Sequence, residues 1–184
     1  MNRKGFTLIE LLVVIAILAV LAVAVTLILN PAELVRQGRD STRLSDIGTV
    51  HRAIGLYFAD QQELTFTAST TCTAASTTYC PTTGITACSS TYVNASTTVD
   101  GGGWVNIDFT GMTTGAPLAR LPIDPVNKAP NFYVFASQTN ETYEIDANME
   151  STRYANEGGD DVESTDGGDN DDWYEVGNDS ELNL

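Results

Sequence analysis

Gly5-Phe6-Thr7-Leu8-Ile9-Glu10-Leu11-Leu12-Val13-Val14-Ile15 opens an apolar run that continues to Leu29. Of the 24 residues from Phe6 to Leu29, only Thr7, Glu10 and Thr26 are not apolar. At about 1.5 Å per residue the run predicts a helix about 36 Å long, enough to cross a hydrocarbon core of about 30 Å. Arg3 and Lys4 precede it. Basic residues on that flank predict an N-terminus held inside the cytoplasm and a remainder that faces outward.

Three readings compete for this segment. An ordinary secretory signal peptide would use Ala22-Val23-Ala24 as its cleavage site. Against it, Glu10 interrupts the start of the run, and Val25 to Leu29 stay apolar beyond that site. A plain membrane anchor leaves Glu10 unexplained, because an ionisable side chain within a membrane segment is costly and points to function. The third reading accounts for both features. Gly5-Phe6-Thr7-Leu8-Ile9-Glu10, after a short basic leader and before a long apolar helix, resembles the N-terminal signature of type IV pilins and type II secretion pseudopilins. That resemblance implies a prepilin peptidase that cuts between Gly5 and Phe6 and methylates Phe6 as the new N-terminus. Glu10 then matches the family's glutamate, the fifth residue of the mature chain.

Physical chemistry supports the same assignment. A free α-amino group has a pKa near 8 and is cationic at neutral pH. A carboxylate in lipid needs a partner, since an unpaired buried charge is expensive. In a filament, Glu10 of one subunit neutralises the amine of Phe6 in its neighbour and thereby sets axial register. Gly5, with no side chain, leaves the cleaved bond accessible.

Asn30-Pro31 ends or kinks the first helix. Leu44, Ile47, Val50, His51, Ile54, Tyr57 and Phe58 then recur at helical spacing to about Glu63, with Arg36, Arg39, Asp40, Arg43 and Asp46 on the other side. This predicts an amphipathic helix that packs its apolar stripe on a small sheet. His51, the only histidine, reads as a packing residue on or beside that stripe, because no catalytic or metal-ligand spacing surrounds it. Trp104 to Phe109 alternates and predicts a strand, with Val105, Ile107 and Phe109 on one face. Phe132–Phe135 and Thr142–Asp146 predict two more, joined by a turn around Gln138-Thr139-Asn140. Leu121-Pro122-Ile123-Asp124-Pro125 reads as a rigid connector. A Pro-x-Asp-Pro loop before an aromatic strand is also similar to the core of major pseudopilins and related pilins.

Residues 65–99 hold 18 Ser or Thr among 35 and no charged residue. Such composition builds little core and predicts an extended exposed loop or ragged β structure. Asn94-Ala95-Ser96 is a bare glycosylation sequon. Cys72, Cys80 and Cys88 allow one disulfide in an exported chain, with the pairing left open.

Charge is segregated along the chain. Residues 1–139 carry 9 acids and 8 Lys+Arg, whereas residues 140–184 carry 15 acids and only Arg153. A formal net charge of −15 predicts no nucleic-acid binding. The tail runs Gly158-Gly159-Asp160-Asp161, then Asp166-Gly167-Gly168-Asp169-Asn170-Asp171-Asp172, and Trp173-Tyr174-Glu175-Val176 suggests a return to the sheet. Oxygen-rich flexible segments suit calcium, and the family resemblance implies a calcium loop in this region. Asp160, Asp166 and Asp169 are the candidate ligands, with a solvated acidic tail as the competing reading.

The expected fold is α+β and pilin-like: one long N-terminal helix, part membrane and part amphipathic, packed on a small antiparallel sheet. Residues 1–5 form the leader, 6–30 the transmembrane and filament-core helix, and 31–64 its amphipathic half. Residues 65–99 form the Ser/Thr-rich loop, 100–156 the sheet and 157–184 the acidic tail. No paired catalytic carboxylates, nucleophile elbow, phosphate loop or zinc cluster is present in the sequence, so no enzyme is expected. The expected function is that of a structural subunit of a type IV pilus-like surface filament. Two alternatives stand beside it: the major pseudopilin of a type II secretion system, and a membrane-anchored extracytoplasmic binding protein. The filament readings imply three partners: a prepilin peptidase and methylase, an inner-membrane assembly platform, and further copies of the chain. They place a single-pass precursor in the inner membrane, and then an extracellular filament or a periplasmic pseudopilus.

Overall fold

The apolar run folds as helix α1, Leu8–Leu29. Its surface is exposed on every side, with Leu8, Ile9, Val20 and Ile28 at least two-thirds accessible. A helix apolar all round has no water-facing stripe, which is the pattern of a membrane span or a helix covered by other helices. Leu8–Thr26 is the one helical stretch among the described residues long and apolar enough to cross a membrane. The computed structural model describes residues 5–61, 69–74 and 93–178. Asn30 closes α1 in the left-handed conformation, and helix α2, Pro31–Gln61, begins at the proline. Proline suits a first helical position because its missing amide would lack a helical acceptor there.

The chain divides into two units, Met1–Arg36 and Gln37–Leu184. The second contains four strands: β1 Ser69–Cys72, β2 Tyr133–Ser137, β3 Tyr143–Ala147 and β4 Tyr174–Gly177. They form one antiparallel sheet in the order β1-β2-β3-β4. The layout is therefore that of a long N-terminal helix followed by a small antiparallel sheet, α+β and pilin-like. The sheet reaches beyond residues 100–156, taking β1 from the Ser/Thr-rich region and β4 from the acidic tail.

Successive strand residues face opposite sides, and both sides of β2 and β3 are buried. On one side Tyr133, Phe135, Tyr143, Ile145 and Ala147 join Ile47, Val50, Ala53 and Ile54 of α2 in the main core. Each large apolar side chain buried there contributes about 1.5–3 kcal/mol. Phe58 stacks on Tyr143 with ring centroids 5.8 Å apart. On the other side Cys72 and Val134 pack with Ala74, Phe132 and Trp173. Trp173-Tyr174-Glu175-Val176 does return to the sheet, as its composition suggested.

Trp104–Phe109 is not a strand. Its described pairing is confined to a bridge between Asp100 and Asp108, and Phe109–Gly111 forms a 3-10 turn. Trp104 and Val105 are consecutive and both fully buried, which a strand with a single buried face does not allow. Trp104 donates its indole N–H to the Pro122 carbonyl at 2.8 Å. A Cβ at Gly103 would lie 2.1 Å from the Thr98 carbonyl oxygen, so only glycine lets these two backbones approach.

Candidate functional site

Thr7 sits at the N-cap of α1 with extended backbone. The Glu10 amide donates to Thr7 Oγ1 at 3.3 Å, while Thr7 N–H and Thr7 Oγ1 donate to Glu10 Oε2 at 2.8 and 2.7 Å. This reciprocal capping box satisfies amides that the first turn leaves without helical acceptors. It also ties the Glu10 carboxylate to Thr7, while Phe6, Ile9, Glu10, Val13 and Val14 line one shallow, almost wholly apolar recess. Thr26 donates to the Ala22 and Val23 carbonyls, so its hydroxyl is satisfied inside the helix. Ala22-Val23-Ala24 lies within α1. A Cβ at Gly5 would meet nothing within 4 Å, so packing in this chain does not demand glycine there.

Residues 1–26 match the family model for the prokaryotic N-terminal methylation motif. This motif is the prepilin signal of type IV pilins and pseudopilins, and it supports a pilin-like or pseudopilin precursor. It implies processing by a prepilin peptidase and assembly into a filament. Neither curated proteins nor solved structures include a match to the chain.

A second constellation lies inside the Gln37–Leu184 unit. Arg43 and Asp40, both expected on the solvated side of α2, are fully buried. Arg43 donates to Asp40 Oδ1 at 2.6 Å, to Asp124 Oδ2 at 2.6 Å and to Glu150 Oε1 at 2.5 Å. Arg39 also pairs with Glu150. Asp124, from the Pro-x-Asp-Pro connector, further accepts from the Val126 and Asn127 amides. The cluster thus joins α2 to that connector and to the chain just past β3. Burial pushes the Glu150 carboxyl upward, but Arg39 and Arg43 outweigh it and hold it below its ordinary 4.5. His51 is half-buried, and its Nδ1 lies 3.0 Å from the Tyr143 hydroxyl. Burial, with Arg52 nearby, lowers its pKa, which fits the packing role read from the sequence.

The described part of the acidic tail is closely tied by its own hydrogen bonds. Asp160 pairs with Arg153 at 2.5 Å. Asp166 accepts from the Gly168 amide at 2.9 Å and the Glu175 amide at 2.6 Å. Asp169 is exposed. Asp161 accepts from three amides and the Ser164 hydroxyl. These candidate calcium ligands are not drawn together. Among the described residues, the acidic group whose oxygens lie within 4.8 Å of one another is Glu144, Asp146 and Glu175. The sequence reading missed it, because the three converge only through the pairing of Asp146 with Glu175 across β3 and β4. Burial, together with the charge of Glu144 and a hydrogen bond between the two side chains, raises Glu175 well above the ordinary carboxylate range.

Glu163 is also buried, accepts from the Met149 and Asn156 amides, and is pushed up by that burial to about 7. A folded-state pKa above the ordinary 4.5 favours the fold while the acid is protonated. The contribution is full below about pH 4.5 and is lost as pH rises through about 7. Thermal melts in chelator should therefore lose about 2–3 kcal/mol from this group between about pH 5 and pH 8. A Glu163→Gln variant should flatten that part of the decline. Parallel pH profiles for the variant and wild type would contradict the assignment.

Cys72 is disulfide-bonded, as export allows; Cys80 and Cys88 lie outside the described residues. The sequon's Asn94 donates its side-chain amide to the Gly102 and Gly103 carbonyls at 3.2 and 2.8 Å. Its nitrogen is therefore engaged in fixing the loop.

Proposed function

We propose that the chain is the structural subunit of a type IV pilus-like surface filament. Its leader is cut between Gly5 and Phe6, Phe6 is methylated, and α1 assembles with Glu10 facing the Phe6 amine of a neighbouring subunit. The observation that carries this reading is the pairing of an otherwise apolar, exposed α1 with a single carboxylate, that of Glu10, held by Thr7 at its first turn. Lipid accommodates such a surface before assembly, and neighbouring helices cover it afterwards. The open surroundings of Gly5 support a glycine requirement imposed by the peptidase rather than by this chain's packing. A uniformly apolar helix with only a tethering role would gain nothing from Glu10, which disfavours the anchored binding protein.

The Ser/Thr-rich stretch of residues 65–99 favours a surface-exposed pilus over the alternative, a secretion pseudopilin, whereas the Pro-x-Asp-Pro loop is similar to the core of both. Electron microscopy of sheared filaments from wild-type, deletion and complemented strains separates them. Filaments lost on deletion and restored by the gene are expected. Unchanged filaments with a block in protein secretion would favour the pseudopilus. In the same strain, Gly5→Val should halt processing and leave a membrane precursor that retains Met1–Gly5, read by intact mass. Normal processing of that variant would contradict cleavage after Gly5.

A further inference from the structure

We propose that a groove around Arg120 receives the acidic loop Asp169–Asp172 of a second copy of the chain, so that successive Gln37–Leu184 units bind head to tail. The inference rests on the filament reading and adds to it a contact away from α1. The groove, of about 370 Å³, is lined by Asp46 and Thr49 of α2, by Arg120, and by an apolar wall of Leu118, Pro122 and Ile123. Arg120 is exposed. Among the described residues, Arg36, Arg39, Arg43 and Arg153 form ion pairs within the chain, and Arg52 donates to the Thr49 hydroxyl. The Arg120 guanidinium has no such partner among them. Asp46 does not supply one, since its carboxylate takes the Tyr133 hydroxyl at 2.8 Å.

The complementary surface lies on the same chain. Residues 140–184 carry 15 acids and only Arg153, and loss of the leader removes Arg3 and Lys4 as well. Copies packed along a filament therefore repel unless their acids meet basic groups or counter-ions. Asp171 and Asp172 are exposed, and among the described residues their carboxylates have no hydrogen-bond or ion-pair partner. The loop that carries them is held by its backbone. The Asp172 amide donates to Asn170 Oδ1, the Asn148 side chain donates to the Asp172 carbonyl, and the Asn170 amide donates to Glu175 Oε2, each at 3.1 Å. A loop fixed before docking has less freedom to lose on binding.

The two surfaces belong to opposite edges of the sheet, which are β1 and β4. Thr71 of β1 donates its hydroxyl to the Trp104 carbonyl, and Trp104 donates its indole N–H to the Pro122 carbonyl at 2.8 Å, so the groove wall is tied to β1. The loop Asp169–Asp172 leads into β4. Three strand spacings, about 14 Å, separate the two edges, so the loop of one chain is offered to the groove of the next. Such a heterologous contact need not close on itself, and repetition of it builds a helical filament. The apolar wall beside Arg120 lowers the local dielectric, which strengthens the pair relative to one in open water.

The test compares sheared filaments with membrane pools in a strain that lacks the native gene and expresses one variant at a time. Arg120→Glu should lower filament yield about tenfold with an unchanged membrane pool, because like charges then face one another at every subunit. Asp171→Lys made together with Asp172→Lys should lower it similarly. Joining those changes to Arg120→Glu should restore about half the wild-type yield or more, since the pair re-forms with its signs exchanged. Lys128 is also exposed but does not line the groove, and Lys128→Glu alters net charge as much as Arg120→Glu does; its yield should stay within about twofold of wild type. Should Arg120→Glu reduce the membrane pool, Arg120→Gln takes its place, with a fall of about threefold expected. Wild-type yield in the arginine or the aspartate variant, no recovery in the charge-exchanged chain, or an equal loss in Lys128→Glu would overturn the proposal. A wild-type chain that forms no filaments would instead overturn the filament reading itself, and the docking with it.

Discussion

Glu10→Ala is expected to abolish filament assembly while leaving membrane insertion intact. Removing a carboxylate from an apolar helix lowers its transfer cost, so the subunit should still reach the bilayer. Cleavage after Gly5 should largely survive, since that bond lies more than a helical turn from Glu10. Assembly should fail because the Phe6 amine of each incoming subunit would enter a helical core without a counter-charge. Breaking a buried pair costs about 3–5 kcal/mol, and the loss recurs with every subunit added. The substitution also removes the capping box on Thr7, a change worth about 1 kcal/mol of helix stability. Glu10→Gln keeps most of the shape without the charge and should impair assembly as well. Sheared surface filaments, compared with membrane pools for each variant, give the result. Wild-type filament yield from Glu10→Ala would mean that the carboxylate does not direct assembly.

Arg43→Ala should produce the largest loss of stability in the Gln37–Leu184 unit. Arg43 is buried among Asp40, Asp124 and Glu150, so its removal leaves carboxylates desolvated with little compensation. The expected destabilisation is about 3–5 kcal/mol, measured by denaturant unfolding at neutral pH. Arg39 still pairs with Glu150, so Arg39→Ala should cost clearly less. The pH dependence has a definite sign. Glu150 is held below its ordinary 4.5, so its share is present above that value and lost as pH falls through the lower folded value. A loss under about 1 kcal/mol for Arg43→Ala, the range of exposed pairs, would show that the cluster does not tie these segments together.

What could be read without coordinates followed the reach of each interaction along the chain. The apolar run to Leu29, the break at Asn30-Pro31, and the burial of Ile47, Val50 and Ile54 are local patterns, and all appear in the fold. The β2–β3 hairpin was legible from two short aromatic and alternating runs with a turn between them. Arg43 was misplaced because helical spacing puts it among polar neighbours. Its partners Asp124 and Glu150 lie 81 and 107 residues away, so nothing local announces the buried pair. Trp104–Phe109 failed for the opposite reason: alternation was present, but among the described residues no neighbouring strand supplies a ladder. The acid group at Glu144, Asp146 and Glu175 is invisible until the β3–β4 register is known, because alternation along Tyr143–Ala147 equally describes a strand with one wet face. A pairing hypothesis for Trp173–Val176 with β3 would have exposed it.

The most direct test of the filament-subunit account is the N-terminus of the mature wild-type protein, determined by mass spectrometry on membrane and sheared-filament fractions. The account predicts a chain that begins at Phe6 and carries a methyl group on its α-amine, present in both fractions. A mature chain that begins at Val25, after Ala24, would contradict it and establish ordinary signal-peptide cleavage.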